Sequence, residues 1–214
     1  VVTNITYKNN IAGPHNNTYT NLYNYSNGLY NHTIGEFRGF GIVEEKADNK
    51  FVRHYFNQLS SLKGREFKTE VLNISGTLYQ TLQQKWQETR NGSTTIVNLA
   101  EEAELTYDRN TTAPKLSNKS YVYDSFGNRI YIHNKGDIEN ANDDSYEHSS
   151  FTNNSAQWIV HAIQNYVLFD SDNSTKIRQS NYSYDSLSYG FAPTKGSVTF
   201  KEELLFGGNN KNVS

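Results

Sequence analysis

A β-hairpin is predicted most clearly by residues 121–132, which read Tyr121-Val122-Tyr123-Asp124-Ser125-Phe126-Gly127-Asn128-Arg129-Ile130-Tyr131-Ile132. Two tyrosines precede a central Gly-Asn pair, and two isoleucines follow it at matching spacing. Glycine adopts positive φ without a steric cost, so this pair supplies the backbone conformation that a tight connection between antiparallel strands needs. The segment therefore predicts two paired strands joined by a short turn.

Strands of the same kind are predicted along most of the chain. Aromatic and β-branched residues favour strands, and clusters of Asn, Gly, Asp and Ser favour turns between them. The further predicted strands cover residues 36–45, 51–56, 67–72, 77–90, 94–99, 104–107, 158–169, 176–184 and 196–204. The predicted turns lie at residues 12–14, 26–28, 48–50, 63–65 and 73–76, with an acidic loop at 134–145 and a loose tail at 207–210. No change in composition divides the chain.

Two segments leave alternatives open. Near the start, Tyr19, Asn21, Tyr23 and Tyr25 alternate with smaller or polar residues. Period-2 spacing is typical of a half-buried strand, and the alternative is a tyrosine-rich surface loop. In residues 77–90, Leu78, Leu82 and Trp86 also fit the spacing of one helix face. The flanking turns favour a strand there too.

Composition excludes several classes of function. The chain has 214 residues, and 20 Lys+Arg against 22 Asp+Glu give a formal charge of −2. This balance argues against the broad basic surface of a nucleic-acid binder. There are no cysteines, which excludes disulfides, thiolate metal sites and a cysteine nucleophile. The mean hydropathy is −0.77 and no apolar run is long enough for a membrane-spanning helix. With 16 Tyr and 11 Phe, the chain is too aromatic for a disordered tract.

The sequence has no methionine, even at position 1, and no signal peptide at its start. We therefore expect it to be a piece of a longer polypeptide.

No catalytic or metal-binding motif is evident. The six histidines lack the spacing of a helical zinc pair (His15, His32, His54, His133, His148 and His161). Asp170, Asp172 and Ser174 match the first three ligands of a calcium loop, but Thr175 replaces its turn glycine and Asn181 its bidentate glutamate. A solvated polar loop is the better interpretation. Neither a G-x-S-x-G nucleophile turn nor a glycine-rich phosphate loop occurs. We therefore predict no cofactor, no metal and no catalytic residue.

Two motifs together carry a resemblance to a known family. A tyrosine-rich stretch, Tyr23-Asn24-Tyr25-Ser26-Asn27-Gly28-Leu29-Tyr30, precedes Glu36-Phe37-Arg38-Gly39-Phe40-Gly41-Ile42-Val43-Glu44. Further on, Tyr123-Asp124-Ser125-Phe126-Gly127-Asn128 is similar to the Y-D-x-x-G-N core of a YD (Rhs) repeat, and Tyr184-Asp185 starts a second, degraded copy with no G-N in register. In this order the motifs resemble the B component of insecticidal Tc toxin complexes and the N-terminal region of Salmonella virulence-plasmid-type proteins.

The resemblance implies an all-β fold in which antiparallel hairpins stack as part of a YD-repeat β-shell wall. It implies that residues 1–115 form a β region leading into the shell and that residues 116–214 form YD-repeat-like hairpins. The implied function is that of a structural scaffold segment in a secreted virulence toxin, whose shell encloses a C-terminal toxic effector. Its partners would be the rest of the toxin polypeptide or other subunits of the complex, with no nucleic acid and no membrane-spanning segment.

The resemblance supplies structural residues and no catalytic ones. Arg38, Gly39, Phe40 and Gly41 would shape one strand of the shell. Tyr123, Asp124, Gly127 and Asn128 would form a repeat hairpin, with the tyrosine packed inward and the aspartate starting the turn.

Two other functions lack a motif but remain alternatives. One is a carbohydrate-binding or adhesin β module in which Trp86 and Trp158 stack on sugars. The other is a β-rich hydrolase that uses acidic loop residues such as Asp137, Asp143 or Asp170.

Overall fold

The computed structural model describes residues 1–8, 18–47, 50–107 and 113–206. These residues form antiparallel β-strands with two short 3₁₀ turns, which confirms the predicted all-β class. The strands are β1 (Asn4–Lys8), β2 (Thr18–Asn31), β3 (Glu36–Ala47), β4 (Lys50–Phe56), β5 (Glu66–Asn73), β6 (Leu78–Asn91), β7 (Thr94–Thr106), β8 (Lys115–Tyr123), β9 (Arg129–Lys135), β10 (Ser145–Asn154), β11 (Ile159–Phe169), β12 (Lys176–Tyr184) and β13 (Val198–Leu205). The 3₁₀ turns are Ala141–Asp143 and Ser155–Gln157.

The chain divides into two compact units, Val1–Leu116 and Ser117–Ser214. In the first unit, the strands pair antiparallel in sequence order, from the β1–β2 pair to the β6–β7 pair. Polar side chains join neighbouring strands. Glu44, Arg53 and Glu70 occupy one register line across β3, β4 and β5, and Arg53 Nη2 lies 2.8 Å from Glu44 Oε1. The hydrogen bond from Arg53 lowers the pKa of Glu44.

The second unit has the same sequential order, from the β8–β9 pair to the β12–β13 pair. The buried hydrophobic side chains of the described residues, Val160, Ala162, Val167 and Tyr184, all lie on β11 and β12. An aromatic row crosses β9, β10 and β11, in which the rings of His133 and Tyr146 stack at 4.3 Å. No helix among the described residues has the length and apolar character needed to cross a membrane.

Several predicted elements are confirmed. Residues 77–90 form a strand, β6, and not a helix. In β2, Asn21, Tyr23 and Tyr25 are half-buried and alternate with exposed neighbours, as expected for a half-buried strand, whereas Tyr19 is exposed. The hairpin predicted for residues 121–132 is formed by β8 and β9.

Other predictions are wrong. Residues 26–28 do not reverse the chain but lie within β2, where a positive φ at Asn27 and a register shift form a β-bulge. The two strands predicted at 94–99 and 104–107 are one strand, β7. Strand β10 begins at the last residue of the predicted acidic loop and was missed, because its sequence is mostly polar. Its aromatic row was the available signal, since Tyr146 and His148 are spaced by two.

The predicted turn at 12–14, Asp48 and Asn49 of the turn at 48–50, the tail at 207–210 and His15 lie outside the described residues.

Candidate functional site at the hairpin turns

The turn between β8 and β9 is closed by the side chain of Asp124. The backbone N–H of Asp124 donates to the carbonyl of Asn128 at 2.9 Å, and the N–H of Gly127 donates to the carbonyl of Asp124 at 3.1 Å. Asp124 Oδ1 accepts from the N–H groups of Phe126 and Asn128, both at 2.9 Å. Gly127 has φ +85°, a conformation that costs a side-chain-bearing residue energy. These contacts satisfy the backbone groups that the reversal leaves without strand partners.

Asn128 attaches this turn to the neighbouring strand β11. Its side chain is buried, with 5% exposed. Nδ2 donates to Asp124 Oδ2 at 2.8 Å and to the carbonyl of Val160 at 2.7 Å. Oδ1 lies within hydrogen-bond distance of His161 Nδ1, and because an amide oxygen only accepts, that nitrogen carries the proton. All three polar contacts of the amide are therefore used.

Tyr123 is half-buried beside the same turn. The guanidinium carbon of Arg129 lies 5.9 Å from the centre of the Tyr123 ring and 4.4 Å from that of Tyr121. A cation at this distance over an aromatic face is attracted by its quadrupole. The structure thus brings Tyr123, Asp124, Gly127 and Asn128 together in one hairpin.

The turn between β5 and β6 has the same hydrogen-bond pattern. The N–H of Asn73 donates to the carbonyl of Thr77 at 2.9 Å, and the N–H of Gly76 donates to the carbonyl of Asn73 at 3.0 Å. Asn73 Oδ1 accepts from the N–H groups of Ser75 and Thr77 at 2.9 and 2.8 Å. Gly76 has φ +81°. The sequence analysis predicted this turn but did not recognise that it resembles the Asp124 turn. The available signal was that both turns have an Asn or Asp three residues before a Gly.

Tyr184-Asp185 also caps a hairpin, but over a longer loop. The N–H of Asp185 donates to the carbonyl of Ser197 at 2.8 Å, and Asp185 Oδ1 accepts from the N–H of Ser197 at 3.0 Å. Oδ2 accepts from the N–H groups of Thr194, Lys195 and Gly196 at 2.6, 2.8 and 3.2 Å. These bonds, with that of Lys195 the strongest, lower the pKa of Asp185 to about 2 against the opposing effect of desolvation.

Gly196 and Ser197 therefore take the places that Gly127 and Asn128 have in the first turn. Gly196 has φ +80°, close to the value at Gly127. The buried Tyr184 corresponds to Tyr123, and its hydroxyl donates to the carbonyl of Ile163 at 2.8 Å. The second Y-D motif thus has its closing pair, which sequence reasoning missed because the pair lies twelve positions after the aspartate instead of four.

The Arg38-Gly39-Phe40-Gly41 stretch lies on β3 opposite the bulge of β2. Gly39 has φ +87°, and a Cβ on Gly41 would lie 3.1 Å from the Cβ of Asn27. Gln58 Nε2 donates to the carbonyls of Asn27 and Gly39, both at 2.8 Å. Gly41 therefore allows the two strands to approach each other, whereas Gly39 supplies the positive φ in open space. Gln58, which no sequence motif indicated, binds the carbonyls of Asn27 and Gly39.

Phe40 and Arg38 fix the rest of this stretch. The Phe40 ring lies 5.1 Å from that of Tyr25 and 5.3 Å from that of Phe37. Arg38 Nε lies 3.5 Å from Glu36 Oε2. Glu36 is hydrogen-bonded to Lys63, and this contact lowers the pKa of Glu36.

The residues named for the alternative functions differ in burial and in hydrogen bonding. Trp86 is half-buried, and its Nε1 donates to the carbonyl of Glu66 at 2.6 Å. Trp158, predicted within a strand, instead follows the second 3₁₀ turn with φ +54°, and 78% of it is exposed. Asp143 accepts from the N–H of Asp137 at 3.0 Å.

The loop that partly matches a calcium motif is a turn between β11 and β12. The Thr175 hydroxyl donates to Asp172 Oδ2 at 2.6 Å, and the N–H groups of Thr175 and Ser174 donate to Oδ1 at 2.7 and 2.9 Å. These hydrogen bonds, that of the hydroxyl first, lower the pKa of Asp172. Across the described ranges, no group of three or more metal-ligating side chains could hold an ion.

Comparisons with known proteins agree with the first motif and with the fold. Residues 1–64 match the family model of the insecticide toxin TcdB middle/N-terminal region. A comparison with curated protein sequences gives no match. Among solved structures, the chain is similar to a chain of the TcdB2-TccC3-Cdc42 crystal structure (13% identity, TM-score 0.66, 89% of this chain and 15% of that one). It is also similar to a chain of the TcdB2-TccC3 crystal structure, with 12% identity and a TM-score of 0.67 over 89% of this chain and 16% of that one. A chain of a Photorhabdus luminescens Tc holotoxin pore matches with 14% identity and a TM-score of 0.66 over 87% of this chain and 15% of that one. At these identities the structural likeness shows the fold, over a small part of much longer chains.

Proposed function

We propose that this chain is a structural, non-catalytic segment of a secreted YD-repeat protein whose β-shell encloses a C-terminal toxic effector. The proposal is supported by the match of residues 1–64 to the TcdB middle/N-terminal family model and by the structural likeness to chains of TcdB2-TccC3. Residues 1–115 would lead into the shell, and residues 116–214 would form its repeat hairpins. Its partners would be the rest of the same polypeptide or other subunits of a toxin complex.

The observation that carries this proposal is the small amount of apolar burial. Besides Pro193, only four hydrophobic side chains of the described residues are buried, although each strand pairs with a sequence neighbour. A sheet with so little covered apolar surface gains stability when further strands or enclosed polypeptide cover it.

The hairpin turns support a scaffold built from repeated units. Asp124, Asn73 and Asp185 each accept backbone N–H groups across a reversal that ends in a glycine with positive φ. Such a cap stabilises a hairpin locally, and stacking with the next hairpin then covers its faces. The acidic side chains proposed for a hydrolase are instead used in turns, as for Asp143.

Protease protection tests the enclosure. The longest polypeptide that carries this chain is treated with protease under native conditions, and digestion of its C-terminal segment is followed by mass spectrometry. We expect this segment to be protected in the wild type and cut faster in an Asn128→Asp variant, which puts a second carboxylate beside Asp124. The matched control is Asn142→Ala, in an exposed 3₁₀ turn. Equal cleavage of the C-terminal segment in the native wild type and in the isolated segment would refute enclosure.

A further inference from the structure

The loop between β12 and β13 is eight residues longer than the turn between β8 and β9. Tyr123-Asp124-Ser125 and Tyr184-Asp185-Ser186 begin in the same way, and Phe126-Gly127-Asn128 corresponds to Lys195-Gly196-Ser197. Residues 187–194, with the sequence Leu-Ser-Tyr-Gly-Phe-Ala-Pro-Thr, are the eight extra positions. The chain leaves the shared path at Asp185 and Ser186, whose φ values are +56° and +59°. Asp185 bonds Ser197 directly, as Asp124 bonds Asn128, and within the insertion Thr194 also donates to Asp185.

The insertion is held firmly to the sheet. Pro193 is fully buried, and its carbonyl accepts from Asn154 Nδ2 at 2.8 Å. Three successive N–H groups at the end of the loop donate to Asp185 Oδ2. A loop with these anchors loses little further entropy when it binds a partner.

The same loop presents large aromatic side chains to solvent. Tyr189 and Phe191 are 51% and 64% exposed, and Trp158, which follows the 3₁₀ turn beginning next to Asn154, is 78% exposed. Exposed aromatic residues on an ordered loop are typical of contact surfaces between proteins. Covering them with a partner removes their apolar area from water.

A pocket of about 420 Å³ lies between the end of this loop and the start of β11. Its lining is Trp158, Ile159, Val160, His161, Ala162, Tyr184, Lys195, Gly196 and Val198. Lys195 and His161 are the groups there that can carry positive charge, and the lining has no Asp or Glu. No carboxylate of the described residues forms an ion pair with Lys195. The pocket therefore combines several apolar side chains with a cation at its edge.

We propose that this pocket, named here the Trp158 pocket, binds an extended polypeptide segment in which apolar side chains alternate with carboxylates. An apolar side chain would enter between Trp158 and Val198, and a neighbouring carboxylate would pair with Lys195. A sugar is favoured less, because the lining lacks the carboxylate and amide side chains that hydrogen-bond ring hydroxyls. This inference does not depend on the proposed shell function.

Fluorescence anisotropy with defined probes tests the assignment, using the chain alone or within the longest polypeptide that carries it. The first probe is a labelled heptapeptide that alternates glutamate with leucine and phenylalanine. The matched peptides replace glutamate by lysine, or the apolar residues by serine. Polygalacturonate and dextran, added as competitors and as immobilised ligands, represent an acidic and a neutral carbohydrate.

We expect the acidic–apolar peptide to bind and the two matched peptides to bind at least tenfold more weakly. Trp158→Ala and Lys195→Glu should each weaken binding at least tenfold, and Lys195→Glu should improve binding of the lysine peptide. The matched controls are Ile138→Ala, which removes an exposed apolar side chain elsewhere, and Lys135→Glu, which reverses a charge at the end of β9. Neither control should change the affinity. Hydrogen exchange of β11 and β12 confirms that each variant keeps its fold.

Other results would overturn the proposal. The proposal is overturned if the acidic–apolar peptide does not bind at about 1 mM, which is the weakest affinity of interest. It is also overturned if Trp158→Ala or Lys195→Glu binds this peptide with the wild-type affinity. Binding of a carbohydrate that Trp158→Ala abolishes, without peptide binding, would assign the pocket to sugars. Deletion of residues 187–194 should abolish peptide binding and leave β12 and β13 paired. If the deletion abolishes the pairing of β12 with β13, residues 187–194 are needed for the hairpin itself.

Discussion

Replacement of Asn128 by alanine should loosen the β8–β9 hairpin selectively. The amide is buried and makes three contacts, to Asp124 Oδ2, to the carbonyl of Val160 and to His161 Nδ1. Alanine removes all three and leaves the Val160 carbonyl without this donor. The turn would keep its backbone bonds but lose its attachment to β11.

The size of the effect follows from these contacts. A hydrogen bond contributes about 0.5–1.5 kcal/mol, and one to a charged group about 1.5–3 kcal/mol. Part of this sum is recovered because water can reach Asp124 and His161 in the open state. We therefore expect the variant to lose about 3 kcal/mol of local stability. Since 1.4 kcal/mol corresponds to a factor of ten, the hairpin would open about 100-fold more often.

Amide hydrogen exchange followed by mass spectrometry measures this opening, in the chain or in a longer polypeptide that carries it. Peptides that cover residues 124–135 should exchange about 100-fold faster in Asn128→Ala, and peptides from β3 to β6 should not change. Asn142→Ala is the matched control, because its side chain is exposed and makes no side-chain hydrogen bond in the described structure.

An isosteric variant separates lost hydrogen bonds from lost volume. Asn128→Asp keeps the shape but places a carboxylate next to Asp124, so it should open the hairpin at least as often as alanine at pH 7 and less often near pH 4, as the new carboxylate protonates. If Asn128→Ala exchanges at the wild-type rate in residues 124–135, the side chain does not anchor the hairpin and the reasoning is refuted.

Three further outcomes are expected. Gly127→Val should destabilise the β8–β9 hairpin by about 1–2 kcal/mol because a β-branched residue tolerates positive φ poorly. Thermal unfolding measures this loss, with Ser125→Val at an exposed turn position as the control, and unchanged stability of Gly127→Val would contradict the turn assignment. Gly41→Ala should cost about 1–3 kcal/mol in urea unfolding through overpacking against Asn27, and a wild-type midpoint would show that β2 can yield. Asp185 has a folded pKa of about 2, below its unfolded value, so its contribution is complete above about pH 4 and lost as the pH falls through about 2. The protection of the amides of residues 194–197, which is their exchange rate relative to that of the unfolded chain at the same pH, should fall over this range in the wild type, whereas Asp185→Asn should show no such step.

The local pattern was sufficient to predict strands and short turns. Period-2 spacing in β2 and the Gly-Asn pair after Asp124 depend on neighbours within a few residues, and the structure has both features where they were predicted. Where polar residues dominate, as in β10, the same reasoning failed. Burial of that strand depends on rings from β9 and β11, such as Tyr131 beside His148, that no local window contains.

The candidate site shows the same division. The sequence analysis identified Asp124, Gly127 and Asn128 because the turn is complete within four positions after Asp124. Gln58 was not, because its two acceptors, the carbonyls of Asn27 and Gly39, are separated from it by 31 and 19 positions.

By itself, the sequence determined the all-β class and the hairpin at Asp124, because these depend on side-chain alternation and turn chemistry over short distances. The order of its motifs carried the resemblance to Tc toxin components. Only the tertiary structure decided that Asp185 is closed by Ser197, that Asn128 reaches the Val160 carbonyl, and that Trp158 and Lys195 share a pocket. Those contacts form where strands meet through backbone hydrogen bonds, and a hydrogen bond depends on distance in space and not on separation along the chain.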